Sequence, residues 1–137
     1  MFKKGDKYRH NFVMIIDDNE LDNYINTRTI KYSFFSKEIY VNTGSTSAME
    51  FLENLEKMPD SKNVFPKVIF IDLNMPVIDG FQFITSFKSM KSKLAKKCKL
   101  VILTSSVYEE DKKKAKAISR DIVFLSKPLT SKMLSDL

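Results

Sequence analysis

The stretch from Val68 to Gly80 reads VIFIDLNMPVIDG, and its first four residues are an unbroken apolar run that stops at an acid, Asp72. A run of this length, rich in β-branched and aromatic side chains, suits a strand buried on both faces of a parallel sheet. The same pattern recurs on either side. Phe12 to Ile16 (FVMII) ends in Asp17 and Asp18, Ile39 to Val41 (IYV) is shorter, Leu100 to Leu103 (LVIL) ends in Thr104 and Ser105, and Ile122 to Leu125 (IVFL) leads through Ser126 to Lys127. The five runs start at 12, 39, 68, 100 and 122, so successive starts lie 27, 29, 32 and 22 residues apart. Each interval has room for one crossover helix.

Helix signals fill those intervals. Leu21, Tyr24, Ile25 and Tyr32 predict the inward face of a first helix, and Ala48, Leu52 and Leu55 that of a second, which Ser47 and Glu50 would open as a capping box. Asp79 and Gln82 would cap a third helix with Phe83, Ile84 and Phe87 facing inward; Ser106 and Glu109 would cap a fourth. The fourth offers only Ala115, Ala117 and Ile118 as core material, so weak packing is expected there. A short fifth helix would start near Thr130 and use Met133, Leu134 and Leu137. Five strand and helix alternations with right-handed crossovers give a doubly wound α/β fold built on a five-stranded parallel sheet.

Composition narrows the classes of function. The chain has 137 residues, 43% hydrophobic and 29% charged, with three Gly and four Pro, which fits one globular unit. Its formal charge is +6, but Arg9, Arg28 and Arg120 are the only arginines, and a lysine-rich surface lacks the planar fork that reads guanine. Nucleic acid is therefore not an expected partner. No apolar stretch approaches the roughly 20 residues needed to cross a bilayer, and MFKKGDKYRHN lacks the apolar segment of a signal peptide, so a cytoplasmic protein is expected. One cysteine, Cys98, and one histidine, His10, cannot build a thiolate or imidazole metal cage; both are expected in polar surroundings without a function. The lysines at 88, 91, 93, 96, 97 and 99 read as a solvated loop, and the eleven Phe and seven Met as filler of the core.

Ligands of doubly wound sheets gather beyond the carboxyl ends of the strands, where Asp17, Asp18, Asp72, Thr104 and Lys127 all fall. Three converging carboxylates cannot all ionise without a compensating cation. Oxygen donors select a hard ion, Mg²⁺ or Mn²⁺ in its place. With that ion and Lys127 the formal charge of the three acids sums to zero. A carboxylate so neutralised can attack a phosphoryl group, with the Thr104 hydroxyl as a donor to its oxygens.

In order along the chain, VMIIDDNE, VIFIDLNMPVIDG, LVILTSS and FLSKP resemble the four motifs of the receiver domains of two-component response regulators, over about Asn11 to Leu137. The resemblance implies a flavodoxin-like (βα)5 receiver fold of strand order 2-1-3-4-5, with residues 1–10 a basic leader and 11–137 one receiver domain without an effector domain. It implies Asp72 as phosphoacceptor, Asp17 and Asp18 as the acidic pair with Asp18 the closer metal ligand, and Asn74 lending its backbone carbonyl to the ion. Thr104 is then the switch hydroxyl, Phe124 the switch aromatic where Tyr is frequent, and Lys127 the family lysine, followed by Pro128 in a typically cis peptide. A histidine kinase or phosphotransfer protein would supply the phosphoryl group. The face of the fourth helix, fifth strand and fifth helix would bind a downstream protein or a second copy of the chain.

Other classes account for fewer of these residues. A haloacid-dehalogenase-like phosphatase would carry an acid two positions after the nucleophile, where this chain has Asn74, so a slowly hydrolysing acceptor fits better than an enzyme. A flavodoxin-like electron carrier would need a phosphate-cradling loop where DDNE stands. A phosphorylation-independent adaptor would have no use for an intact acidic site.

Overall fold

The VIFI run is the centre of the sheet. In the computed structural model, which describes residues 7–75, 79–105 and 108–137, it forms strand β3 (Val68–Ile71), with every residue buried. β3 lies between β1 (His10–Ile16) and β4 (Lys99–Thr104); β2 (Ser36–Asn42) and β5 (Val123–Ser126) form the edges. All four pairings are parallel and the order is β2-β1-β3-β4-β5, so the doubly wound fold and its order agree with the expectation. The order reverses between β1 and β3. β5, an edge strand, is only half-buried, unlike the runs of β1, β3 and β4.

Two cores follow from alternation along these runs. Met14, Ile16, Ile69, Ile71 and Ile102 face Leu52 of α2 (Ser45–Glu56), Phe83, Ile84 and Phe87 of α4 (Gly80–Lys88), and Ala115 of α6 (Glu109–Ile118). Val13, Ile15, Phe70, Val101 and Leu103 face Ile30 of α1 (Glu20–Tyr32) and Leu134 of α7 (Ser131–Ser135). On this second side the ends of the chain are tied together: Arg9 donates to the carbonyls of Leu134, at 3.1 Å, and Leu137, and Ser33 bonds Ser131 at 2.7 Å.

α2, α4, α6 and α7 are the second to fifth expected helices. Asp79 and Gln82 do form a capping box at α4. The other cap at α2 differs: Gly44 occupies the N-cap, the helix starts two residues before Ser47, and the Ser47 hydroxyl donates back to the Gly44 carbonyl. Ser106 lies outside the described residues; α6 starts after Tyr108, without a side-chain capping bond. Ala115 is its one buried residue, Ala117 is exposed and Ile118 half-buried, so the helix is anchored even more weakly than the sequence implied.

α1 is turned relative to expectation. Leu21 and Tyr32 are 66% and 71% exposed, Tyr24 and Ile25 also face outward, and Asn23, Asn26 and Ile30 face in. The reason lies in what the helix covers. Backbone groups at the ends of β1 and β5 need partners: the Asn23 amide donates to the Asp17 carbonyl at 2.8 Å, and Asn26 Oδ1 accepts from Leu129 N at 3.2 Å. These two side chains satisfy buried backbone groups, and here that need sets the phase.

Two short helices were not anticipated: α3 (Ser61–Val64), and α5 (Lys93–Lys97), which is capped by Ser92 and anchored by Ala95. The six lysines around α5 are solvated as expected, but Cys98 is not in polar surroundings: it is buried, and burial pushes its thiol up to about 12. His10 is likewise the first residue of β1, edge-on to Phe35 at 4.9 Å.

Candidate phosphoacceptor and cation site

The reversal of strand order opens a crevice between the carboxyl ends of β1 and β3, and the acids that end those runs stand in it. Asp17 and Asp72, the residues after Ile16 and Ile71, are 2% and 6% exposed; Asp18 is exposed. The Asp72 N–H donates to the Ile16 carbonyl at 3.0 Å, which fixes the two strand ends side by side. One carboxylate oxygen from each of Asp17, Asp18 and Asp72 lies within 4.8 Å of the others.

Lys127 enters from β5. Its N–H donates to the Thr104 carbonyl at 2.9 Å, continuing the sheet by one bond, and its peptide to Pro128 is cis. Its ammonium stands 2.6 Å from Asp17 Oδ2, 2.8 Å from Asp22 Oδ2 and 3.8 Å from Asp72 Oδ1. Burial works to lower the pKa of this ammonium, but the hydrogen bonds to Asp17 and Asp22, with the charge of Asp72, hold it above the ordinary lysine value. Thr104, fully buried at the end of β4, donates its hydroxyl to the Asp72 carboxylate, and the backbone N–H of Asn74 does the same.

Burial nevertheless raises the pKa of Asp72, and the nearby charge of Asp17 adds to the rise, while Lys127 and the bonds from Thr104 and Asn74 oppose it. Asp72 Oδ1 is buried without a hydrogen-bond partner. An orphaned carboxylate oxygen facing two further carboxylates is what a hard divalent cation satisfies, so the donors present fit Mg²⁺ or Mn²⁺. The backbone behind it has no slack. A Cβ on Gly80, the first residue of α4, would fall 2.5 Å from the Asp72 carbonyl oxygen and 2.8 Å from Leu73 Cα, so only glycine lets this helix approach so closely.

Asp17, Asp18, Asp72, Thr104 and Lys127 therefore meet in one place. Phe124 lies apart, half-buried on β5, with the Lys112 ammonium 5.8 Å above its ring and a groove of about 450 Å³ bounded by Lys112, Lys113, Lys116 and Val123 beside it. Asp22 escaped the reading of the sequence. With Leu21 and Ile25 placed inward it would point away from the site; the phase set by Asn23 and Asn26 turns it toward Lys127. The formal charge of the four acids, Lys127 and a divalent cation is thus minus one rather than zero.

Residues 13–137 match the model of the response regulator receiver domain. Response regulator Rcp1 of Synechocystis sp. is 26% identical over 99 residues, a match that covers 72% of this chain and 65% of that protein. A two-component response regulator of Cytophaga hutchinsonii is 32% identical and superposes with a TM-score of 0.82 over 93% of each chain. The Mn²⁺-bound form of Rcp1 superposes with a TM-score of 0.69 at 22% identity, over 92% of this chain and 88% of that one. With the family model matched over residues 13–137 and the sheet in the order β2-β1-β3-β4-β5, the chain belongs to the response regulator receiver domains.

Proposed function

We propose that this chain is the phosphoryl-accepting partner of a histidine kinase or phosphotransfer protein, and that it signals by protein-protein contact. The observation that carries this is Asp72: a buried carboxylate with one oxygen free of hydrogen bonds, gathered in one place with Asp17, Asp18, Thr104 and Lys127. An oxygen of Asp72 attacks the phosphorus, and the bond from phosphorus to the donor's imidazole nitrogen breaks. Asp17, Asp18, Asp72 and the backbone carbonyl of Asn74 would hold Mg²⁺, which when bound neutralises the carboxylates and the incoming oxygens. Thr104 and Lys127 then orient and stabilise those oxygens with a hydroxyl and an ammonium. No acid stands at Asn74 to protonate a leaving group, which supports an acceptor with slow self-hydrolysis over a phosphatase.

The output reading rests on α6 and its neighbours. Drawing Thr104 toward a phosphoryl group leaves room behind it into which Phe124 can turn, and α6, held by little apolar contact, shifts at small cost. The α6, β5 and α7 face is then the surface offered to a downstream protein or to a second copy of the chain. The receiver domain then runs from residue 11 to residue 137, with its first strand reaching back to His10. Among the described residues no helix is long and apolar enough to cross a membrane, which agrees with a cytoplasmic site of action.

Intact-mass analysis after incubation with acetyl phosphate and Mg²⁺ tests the assignment. One phosphoryl adduct is expected, absent in Asp72→Asn and in excess EDTA. Equal labelling of the variant would overturn it, and unchanged signalling by Asp72→Asn would favour an adaptor.

A further inference from the structure

The ammonium of Lys127 has three hydrogens, and in this site two of them are committed. Asp17 and Asp22 take hydrogen bonds at 2.6 and 2.8 Å, whereas Asp72 Oδ1 lies at 3.8 Å, outside hydrogen-bond reach. The two holding carboxylates differ in kind. Asp17 belongs to the cluster that fits a divalent cation, so its charge is shared once an ion is present. Asp22 stands outside that cluster on the first turn of α1, where its own N–H is fixed by Asn19 Oδ1 at 2.9 Å. Its claim on the ammonium is undiminished by the ion.

We propose that Asp22 is a positioning residue that holds Lys127 back from Asp72 and opposes its approach when a phosphoryl group arrives. The inference rests on Asp72 being the acceptor. Phosphoryl oxygens draw Lys127 toward Asp72, and each increment of that contact is made against the Asp22 bond. Asp22 therefore weakens the hold of the site on a phosphoryl group. Without it, Lys127 settles on Asp17 and Asp72, where it helps an anion and hinders a cation.

The test uses the full chain, calorimetric titration with Mg²⁺ alone, and titration with beryllofluoride, a phosphoryl mimic, at saturating Mg²⁺. Asp22→Asn keeps shape and an acceptor oxygen but removes the charge, and Asp22→Ser serves the same purpose if the amide perturbs folding. Loss of one partly exposed ion pair predicts about two- to fivefold tighter beryllofluoride binding. Mg²⁺ alone should bind less tightly. A purely structural role would weaken both affinities together. Glu20→Gln removes the same charge from an exposed position of the same helical turn and should leave beryllofluoride binding unchanged. Unchanged or weaker beryllofluoride binding by the Asp22 variants, or an equal gain in Glu20→Gln, would overturn the proposal while leaving Asp72 as acceptor. No beryllofluoride binding by the wild type would overturn both.

Discussion

At His10 a ring nitrogen is asked to stay unprotonated. Burial lowers its pKa to about 4 from 6.5, with the charges of Arg9 and Lys67 adding to the effect. As pH falls below 6.5 the unfolded chain takes the proton first, so stability is fully present above 6.5 and is lost as pH falls toward about 4. After discounting for solvent screening, the contribution is about 1–2 kcal/mol. Chemical unfolding of wild type and His10→Phe, which keeps the edge-on packing against Phe35, should show a steeper decline for the wild type across this window. Parallel curves would show that the ring does not titrate there. The same contrast separates the residues that could be read beforehand from those that could not. Asp17, Asp72, Thr104 and Lys127 were legible because each ends or follows an apolar run, and the fold places run ends on one rim. Asp22 was not, since nothing in its neighbours' hydropathy points a carboxylate toward the site.

α1 is the element whose sequence pattern misleads. Leu21, Tyr24, Ile25 and Tyr32 lie outside while its asparagines and Ile30 lie inside, because periodicity reports hydrophobic burial and is silent about backbone groups that need partners. Asn26→Ala removes the acceptor of the buried Leu129 N–H and should cost about 1–3 kcal/mol in urea unfolding. Leu21→Gln, on the exposed face, should change stability by no more than about 0.5 kcal/mol. The reverse order of sensitivities would restore the face expected from the apolar residues. α2 and α4 obeyed the pattern since Leu52, Phe83 and Phe87 bury in an apolar cluster with the sheet side chains. α5 was hidden by its lysines: a single turn needs only the Ser92 cap and two buried anchors, Ala95 and Cys98, too few to stand out in a charged stretch.

For the molecule as a whole, the acidic rim is a source of instability that a cation relieves. An ion that binds only the native arrangement stabilises it by about 2.7 kcal/mol at a hundredfold excess over its dissociation constant. Thermal unfolding of the wild type should therefore shift upward with Mg²⁺, and Asp18→Ala should abolish the shift. An equal shift in the variant would place the ion elsewhere. The doubly wound class was readable from five runs and their spacing, which local side-chain detail does not alter, whereas the strand order followed only from the resemblance of four motifs to receiver domains.

The tie between Arg9 and the carbonyls of Leu134 and Leu137 holds the start of β1 against α7. The first strand and the last helix are neighbours in space although they are the most distant parts of the chain. The face of β1 that carries Val13 and Ile15 is therefore covered in two steps during synthesis: Ile30 of α1 follows it directly, whereas Leu134 of α7 comes only after the other four strands.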